Sequence, residues 1–248
     1  MIDFPAGEVW LVGAGPGDAG LLTLHAVGAL KQADVVVHDA LISAEVLAYA
    51  SGAELVLLGK RGGQPSPKQP EITARLIAEA GAKKRVVRLK GGDPFMFGRG
   101  AEEAQALAKA GIGFRIIPGI TAGIGGLAYA GVPVTARGVN SSVIFLTGHD
   151  HTGGLPDNID WAATASAGMI VLYMAVRNMA EIATKLIAAG RPGDDPTCVV
   201  VNASLPDMRV LETTLAQAAA DIAMYGVKAP AIISIGRGNL LRKTLQWH

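Results

Sequence analysis

The chain has a single cysteine among its 248 residues, Cys198. One thiol excludes an intrachain disulfide and argues for a reducing cytoplasm. Its place in the apolar run 197–201 predicts a small buried hydrophobe. No signal-peptide pattern precedes Val9, and no apolar stretch approaches the roughly 20 residues that a membrane helix needs. The expectation is a cytoplasmic protein with no membrane partner. Charge is scarce and balanced, with 17% charged residues, 22 Lys plus Arg against 21 Asp plus Glu, and a net charge of +1. Such a chain sets up no global field for nucleic acid, so any anionic ligand must be met by a local basic cluster. Neither a G-x-S-x-G elbow nor a paired-cysteine motif is present. His149-Asp150-His151 has metal-binding residue types, but adjacent residues rarely ligate one ion and no fourth ligand is spaced to join them. That run reads as a solvated loop, with no metal expected.

What the chain does have is apolar bulk, 50% of its residues, enough for one large domain or two small ones. Apolar runs at 9–12, 35–37, 55–58, 86–89 and 114–117 read as strands. Between them 24–32, 44–50, 71–80 and 102–110 have helical spacing, with Thr23 and Ser43 placed as N-caps. Strands that are apolar throughout belong in a parallel sheet covered on both faces, which gives a five-stranded α/β domain. Pro118-Gly119 breaks the rhythm and introduces a small-residue helix over 121–130. Strands at 143–147, 170–174, 198–201 and 232–235, with helices including 179–189 and 215–224, make a second α/β half. The fold class is therefore α/β in two domains, 1–118 and 119–248, with a cleft expected between them. No residue-level repeat relates the halves.

The richest stretch is Arg88-Leu-Lys-Gly-Gly-Asp-Pro-Phe-Met-Phe-Gly-Arg-Gly100. Its strand ends at Gly91-Gly92, whose bare backbone admits a ligand closely, and Asp93-Pro94 stiffens the exit. The carboxyl end of a strand in an open α/β sheet is where small molecules bind. Arg88, Lys90, Asp93 and Arg99 crowd this segment beside Phe95, Met96 and Phe97, a mixture that suits a ligand with charged and apolar parts. Gly13-Ala-Gly-Pro-Gly-Asp18 follows the first strand like a dinucleotide fingerprint. Asp18 replaces the third glycine, however, and Pro16 removes an N–H that a pyrophosphate would want. Asp39 falls where a ribose-binding acid would sit, so an NAD(P)-dependent oxidoreductase remains an alternative on these residues.

The ordered set of Gly13 to Asp18, Lys60-Arg61-Gly62, Lys90 to Pro94 with Phe97-Gly98-Arg99-Gly100, and Pro118-Gly-Ile-Thr-Ala122 resembles the tetrapyrrole methylase family over nearly the whole chain. The resemblance implies two α/β domains with S-adenosyl-L-methionine bound between them and S-adenosyl-L-homocysteine as product. It implies methylation of uroporphyrinogen III twice, on rings A and B, giving precorrin-2 for sirohaem or cobalamin. A later precorrin methylase and a non-catalytic tetrapyrrole binder are the neighbouring alternatives. Carried over by position, the donor contacts are Pro16, Gly91, Gly92, Asp93, Met96, Thr121, Ala122 and Met174, with a main-chain contact at Ala203. A donor with a sulfonium and no phosphate suits carbonyls, small residues and thioethers better than a basic nest. Asp39 and Lys60 match positions with acid and base roles: a pyrrole carbon methylated in a porphyrinogen becomes an iminium-like cation, and a proton must leave the ring. The substrate's carboxylates imply a basic surround, for which Lys60, Arg61, Lys68, Arg99 and Arg137 are candidates, arginine offering the better fork. The chain departs from the family pattern at His38 and Ala40 around the acid, at Ala136 before Arg137, and at Ala203-Ser204. The resemblance also implies a homodimer, to which the segment 120–131 could contribute. With eight residues before the first strand, the chain is expected to be the free-standing methylase.

Overall fold

The computed structural model describes residues 3–58, 69–150 and 152–247. The chain divides into two compact units, Met1–Thr121 and Ala122–His248.

In the first unit β1 (Val9–Gly13), β2 (Val35–His38), β3 (Glu54–Leu57), β4 (Val86–Lys90) and β5 (Phe114–Ile117) form one sheet in the order β3-β2-β4-β1-β5. Every pairing in it is parallel. The helices are α1 (Leu24–Gln32), α2 (Ala44–Leu47), α3 (Gln69–Gly81) and α4 (Gly100–Lys109). Side chains alternate across the strands. Trp10, Val12, Val36, Val87 and Leu89 therefore pack with Ala26, Ala29 and Leu30 of α1 and Val46 of α2. Val9, Leu11, Val35, Val37 and Val86 pack on the opposite face with Ile72 and Leu76 of α3 and Ala104 and Leu107 of α4. Thr23 and Ser43 cap as expected: Ala26 N donates to Thr23 Oγ1 at 3.1 Å and Val46 N to Ser43 Oγ at 3.4 Å.

The three central strands are buried on both faces, as expected of a parallel sheet. The edges are not: Leu55 and Leu57 of β3 are 46% and 39% exposed, and Phe114 of β5 is 40% exposed. An edge strand has one neighbour, and an apolar run does not reveal which strand that will be.

In the second unit α5 (Ala122–Tyr129) precedes β6 (Val143–Thr147), α6 (Trp161–Ala165), β7 (Met169–Tyr173), α7 (Met179–Ala188), β8 (Pro196–Val201), β9 (Arg209–Thr214), α8 (Ala218–Met224), β10 (Ala231–Ile235) and α9 (Arg242–Leu245). The sheet order is β6-β7-β10-β8-β9. Only β6 and β7 pair in parallel; the β7–β10, β10–β8 and β8–β9 pairings are antiparallel. The strand β9 was not expected. Its sequence Arg-Val-Leu-Glu-Thr-Thr is polar enough for an edge and too mixed to read as an apolar run. Met179, Ile182, Ala183 and Leu186 of α7, with Ala218 and Ile222 of α8, cover one face of this sheet. Cys198 is 2% exposed, and burial pushes its thiol up to about 12, so it packs as the hydrophobe expected.

Candidate functional site

Three strand ends in the first unit are pressed together by glycines. A Cβ built on Gly13 would lie 2.5 Å from Gly119 Cα and 2.6 Å from Gly92 O, and one on Gly119 would strike Gly92 O. Ala14 N donates to Lys90 O at 2.8 Å, Gly92 N to Gly15 O at 2.8 Å and Gly15 N to Gly92 O at 3.2 Å. The glycines after β1 thus serve contact between loops, which explains why a fingerprint-like run lacks the rest of a dinucleotide motif. The pair Gly91-Gly92 divides its work. Gly92, with φ +67°, belongs to this packing, whereas Gly91 is exposed and a Cβ there would meet nothing within 4 Å. The bare backbone expected for a ligand is at Gly91.

Asp93 is half-buried and spends both oxygens on backbone: Phe95 N donates to Oδ1 at 2.8 Å and Gly119 N to Oδ2 at 3.0 Å. It fixes the turn after β4 against the turn after β5. Met96, three residues on, is half-buried, as is Pro16 in the turn after β1. Gly98 and Gly100 fold over Pro94 O with no room for a side chain, and Phe97 and Arg99 take positive φ of 52° and 59°. Such backbone in non-glycine residues costs about 1–3 kcal/mol each and gathers at functional loops. Arg99 forms a two-pronged pair with Glu102, Nε to Oε1 at 3.0 Å and Nη2 to Oε2 at 2.7 Å, with both side chains 56% exposed.

Arg88 and Lys90 do not crowd the loop. They lie within β4, 2% and 3% exposed, because strand alternation points residues 86, 88 and 90 to the α3–α4 face. There they meet Glu103, which is 0% exposed on the first turn of α4. Arg88 Nε donates to Glu103 Oε1 at 3.1 Å and Nη2 to Asp39 Oδ1 at 2.6 Å; Nη1 reaches Val37 O at 3.4 Å and Leu89 O at 3.3 Å. Lys90 Nζ donates to Glu103 Oε1 at 3.2 Å and stands 3.1 Å from Oε2, which accepts no hydrogen bond from the described residues. Gln69 Nε2 donates to Oε1 at 2.8 Å. Burial pulls Lys90 below the usual lysine range, and the neighbouring Arg88 adds to this against the attraction of Glu103 and Asp39. Burial also opposes the charge on Arg88, but Asp39 and Glu103 outweigh it and hold the guanidinium above its ordinary value. The carboxylate of Asp39 is 32% exposed, and among the described residues its Oδ2 accepts no hydrogen bond. Glu103 and Gln69 were missed from sequence. The available signal was two cations two apart in an otherwise apolar strand, which calls for a buried anion.

Lys60, Arg61 and Lys68 lie outside the described residues. Arg137 is exposed on a turn closed by Asn140 N donating to Ala136 O at 3.0 Å. His149 sits in a loop where Asn178 Nδ2 donates to Gly148 O at 2.7 Å and Gly153 O at 3.0 Å. Among the described residues no three His, Cys, Asp or Glu side chains converge as for a metal. No helix among them is long and apolar enough to cross a membrane.

Thr121 is 7% exposed and ends the first unit. In the second unit, Ala122 opens α5 and Gly123 N donates to Tyr173 Oη at 2.8 Å. A Cβ on Gly126 would lie 2.6 Å from Ala203 Cβ. Helix α5 therefore rests on Tyr173 at the end of β7 and on Ala203 in the turn after β8. A core role for Met174 is ruled out. It lies just past β7, 41% exposed with φ +54°, an uncommon backbone for a non-glycine residue. Ala203 is buried between Asn202 and Ser204, whose φ angles of 49° and 63° are also left-handed. A methyl donor asks for open backbone and thioether surface and no phosphate nest. In the first unit Gly91 is open backbone, and in the second Met174 is an exposed thioether.

Comparison with known proteins points the same way. The chain is 58% identical over 243 residues to a uroporphyrinogen-III C-methyltransferase of Sinorhizobium sp, covering 97% of this chain and 87% of that one. It is 45% identical over 243 residues to the siroheme synthase of Zymomonas mobilis, of which it spans about half, 51%. A uroporphyrin-III C-methyltransferase of Thermus thermophilus, solved with S-adenyl homocysteine, superposes with a TM-score of 0.82 at 39% identity, covering 93% of this chain and 98% of that one. The model for tetrapyrrole (corrin/porphyrin) methylases matches residues 8–219. With that span and these turns in place, the chain belongs to the tetrapyrrole methylase family.

Proposed function

We propose that this protein methylates uroporphyrinogen III twice, on rings A and B, with S-adenosylmethionine as donor, giving precorrin-2 for sirohaem or cobalamin synthesis. The observation that carries the reading is the 58% identity over 97% of the chain to an enzyme of that name. Pro16, Gly91, Gly92, Asp93, Met96, Thr121, Ala122, Met174 and Ala203 are the residues proposed to hold the donor. Bound there, S-adenosylmethionine supplies an electrophilic methyl group and leaves as S-adenosylhomocysteine.

The chain's own chemistry is then to place the macrocycle and to take a proton. Methylation of a ring carbon leaves a cationic macrocycle; a C–H bond breaks, its electron pair stays in the ring system, and the proton goes to a base. Asp39 is proposed as that base. One of its oxygens is pinned by Arg88, the other accepts no hydrogen bond among the described residues, and its one-third exposure leaves it reachable. Lys60 is proposed as the acid partner. Arg61, Lys68, Arg99 and Arg137 are proposed to meet the substrate's carboxylates. The exposed Arg99–Glu102 pair is worth under about 1 kcal/mol, so a substrate carboxylate can take over the guanidinium. We place the enzyme in the cytoplasm as a homodimer; sedimentation at the mass of one 25.5 kDa chain would remove the dimer.

The experiment mixes the protein with methyl-labelled donor and enzymically generated uroporphyrinogen III. Label is expected in the macrocycle; label retained wholly in the donor contradicts the reading.

A further inference from the structure

The middle of a parallel sheet is an expensive place for two cations. Arg88 and Lys90 occupy it in β4, against a Glu103 with no exposed surface. The charges balance only when Asp39 is counted: two cations, Arg88 and Lys90, against two carboxylates, Glu103 and Asp39. Of the four groups only Asp39 reaches solvent. All three nitrogens of the guanidinium are committed, Nε to Glu103, Nη1 to two backbone carbonyls and Nη2 to Asp39. The direction in which Asp39 presents its second oxygen is therefore set by a carboxylate buried behind it.

We propose that Glu103 is a positioning residue for the methylation reaction, acting through Arg88 on Asp39, with Lys90 as its counterion and Gln69 as a neutral support. The inference rests on Asp39 as the proton acceptor. Glu103 shares the guanidinium charge. Without that share, Nε loses its anionic acceptor, Arg88 is no longer braced from behind, and the Asp39 carboxylate is free to turn. Positioning of this kind raises turnover without touching the substrate.

The test compares Glu103→Gln, Asp39→Asn and the double variant in the intact protein. Glu103→Gln keeps the shape and removes the charge. It is expected to lower kcat about tenfold while KM for the macrocycle stays within about twofold and donor affinity is unchanged. In the Asp39→Asn background the same substitution should cost nothing further, because its effect passes through that carboxylate. If Glu103→Gln does not fold, Arg88→Lys replaces it. An ammonium cannot bridge both carboxylates, so the same loss and the same non-additivity are expected. Parent-like kcat in the substituted protein, or an equal further loss without Asp39, overturns the proposal. Unchanged turnover in Asp39→Asn alone would overturn the base assignment along with it, which separates the two failures.

Discussion

Single atoms decide what two of the glycines do. A Cβ on Gly119 meets Gly92 O and comes within 2.7 Å of Gly13 Cα, both backbone, and neither can move without parting two strand ends. Gly119→Ala should therefore cost about 1–3 kcal/mol as an overpacked site. At roughly 2–4 °C per kcal/mol for a chain of this size, thermal unfolding should show it plainly. Gly91→Ala is the matched contrast. Its methyl group enters open space, so Tm should hold, while donor affinity should fall about tenfold because the free backbone is lost. Equal Tm losses for the two, or unchanged donor binding in Gly91→Ala, would contradict the division of labour. From sequence both residues read alike, as turn glycines. What distinguishes them is the arrival of the ends of β1 and β5 against the turn after β4, which no local pattern encodes. Met174 was similarly ambiguous: a methionine at the end of an apolar strand reads as core until its left-handed backbone turns it outward.

Among the elements, β4 carries the two cations that meet the buried Glu103 of α4; Arg88 also reaches Val37 O of β2 and Asp39 just past it, and Gln69 of α3 donates to the same Glu103. At its other end a second, simpler tie joins β2 and β4. Arg85 N and Nε donate to Asp34 Oδ2 at 2.8 and 3.1 Å, and Nη2 to Oδ1 at 3.0 Å. These bonds, the side-chain one foremost, hold the Asp34 carboxyl below its ordinary range. A carboxyl lowered in the folded state stabilises above its unfolded value of about 4 and ceases to do so as pH falls through the folded one. With both side chains nearly 40% exposed, solvent screens the tie and its contribution is small. The Tm deficit of Asp34→Asn should thus be measurable at pH 7 and shrink as the pH drops below about 4; a deficit independent of pH would show the carboxylate charge to be irrelevant. Elements with strong periodicity were legible: α1 and β5 fall on their expected bounds, and the N-caps at Thr23 and Ser43 were visible as residue types. The edge strand β9 was not, since Arg209, Glu212, Thr213 and Thr214 leave it no apolar run.

At the scale of the molecule, alternating strands and helices made the α/β class readable, and the ordered motifs made the family readable. Strand direction in the second sheet was not, because Ile, Val and Leu runs pack equally well parallel or antiparallel and only the connections choose. The donor-side candidates were found by resemblance, and each described one now has a physical setting. The pair Arg88 and Lys90 called for a buried anion, but nothing marked Glu103 as that anion, because a glutamate in an amphipathic helix reads as a solvated face. The central claim is a reaction, and its product is countable. Under saturating donor, mass spectrometry of the macrocycle formed from uroporphyrinogen III should show two added methyl groups and no more. A product that stops at one, or an unmethylated macrocycle, contradicts the account.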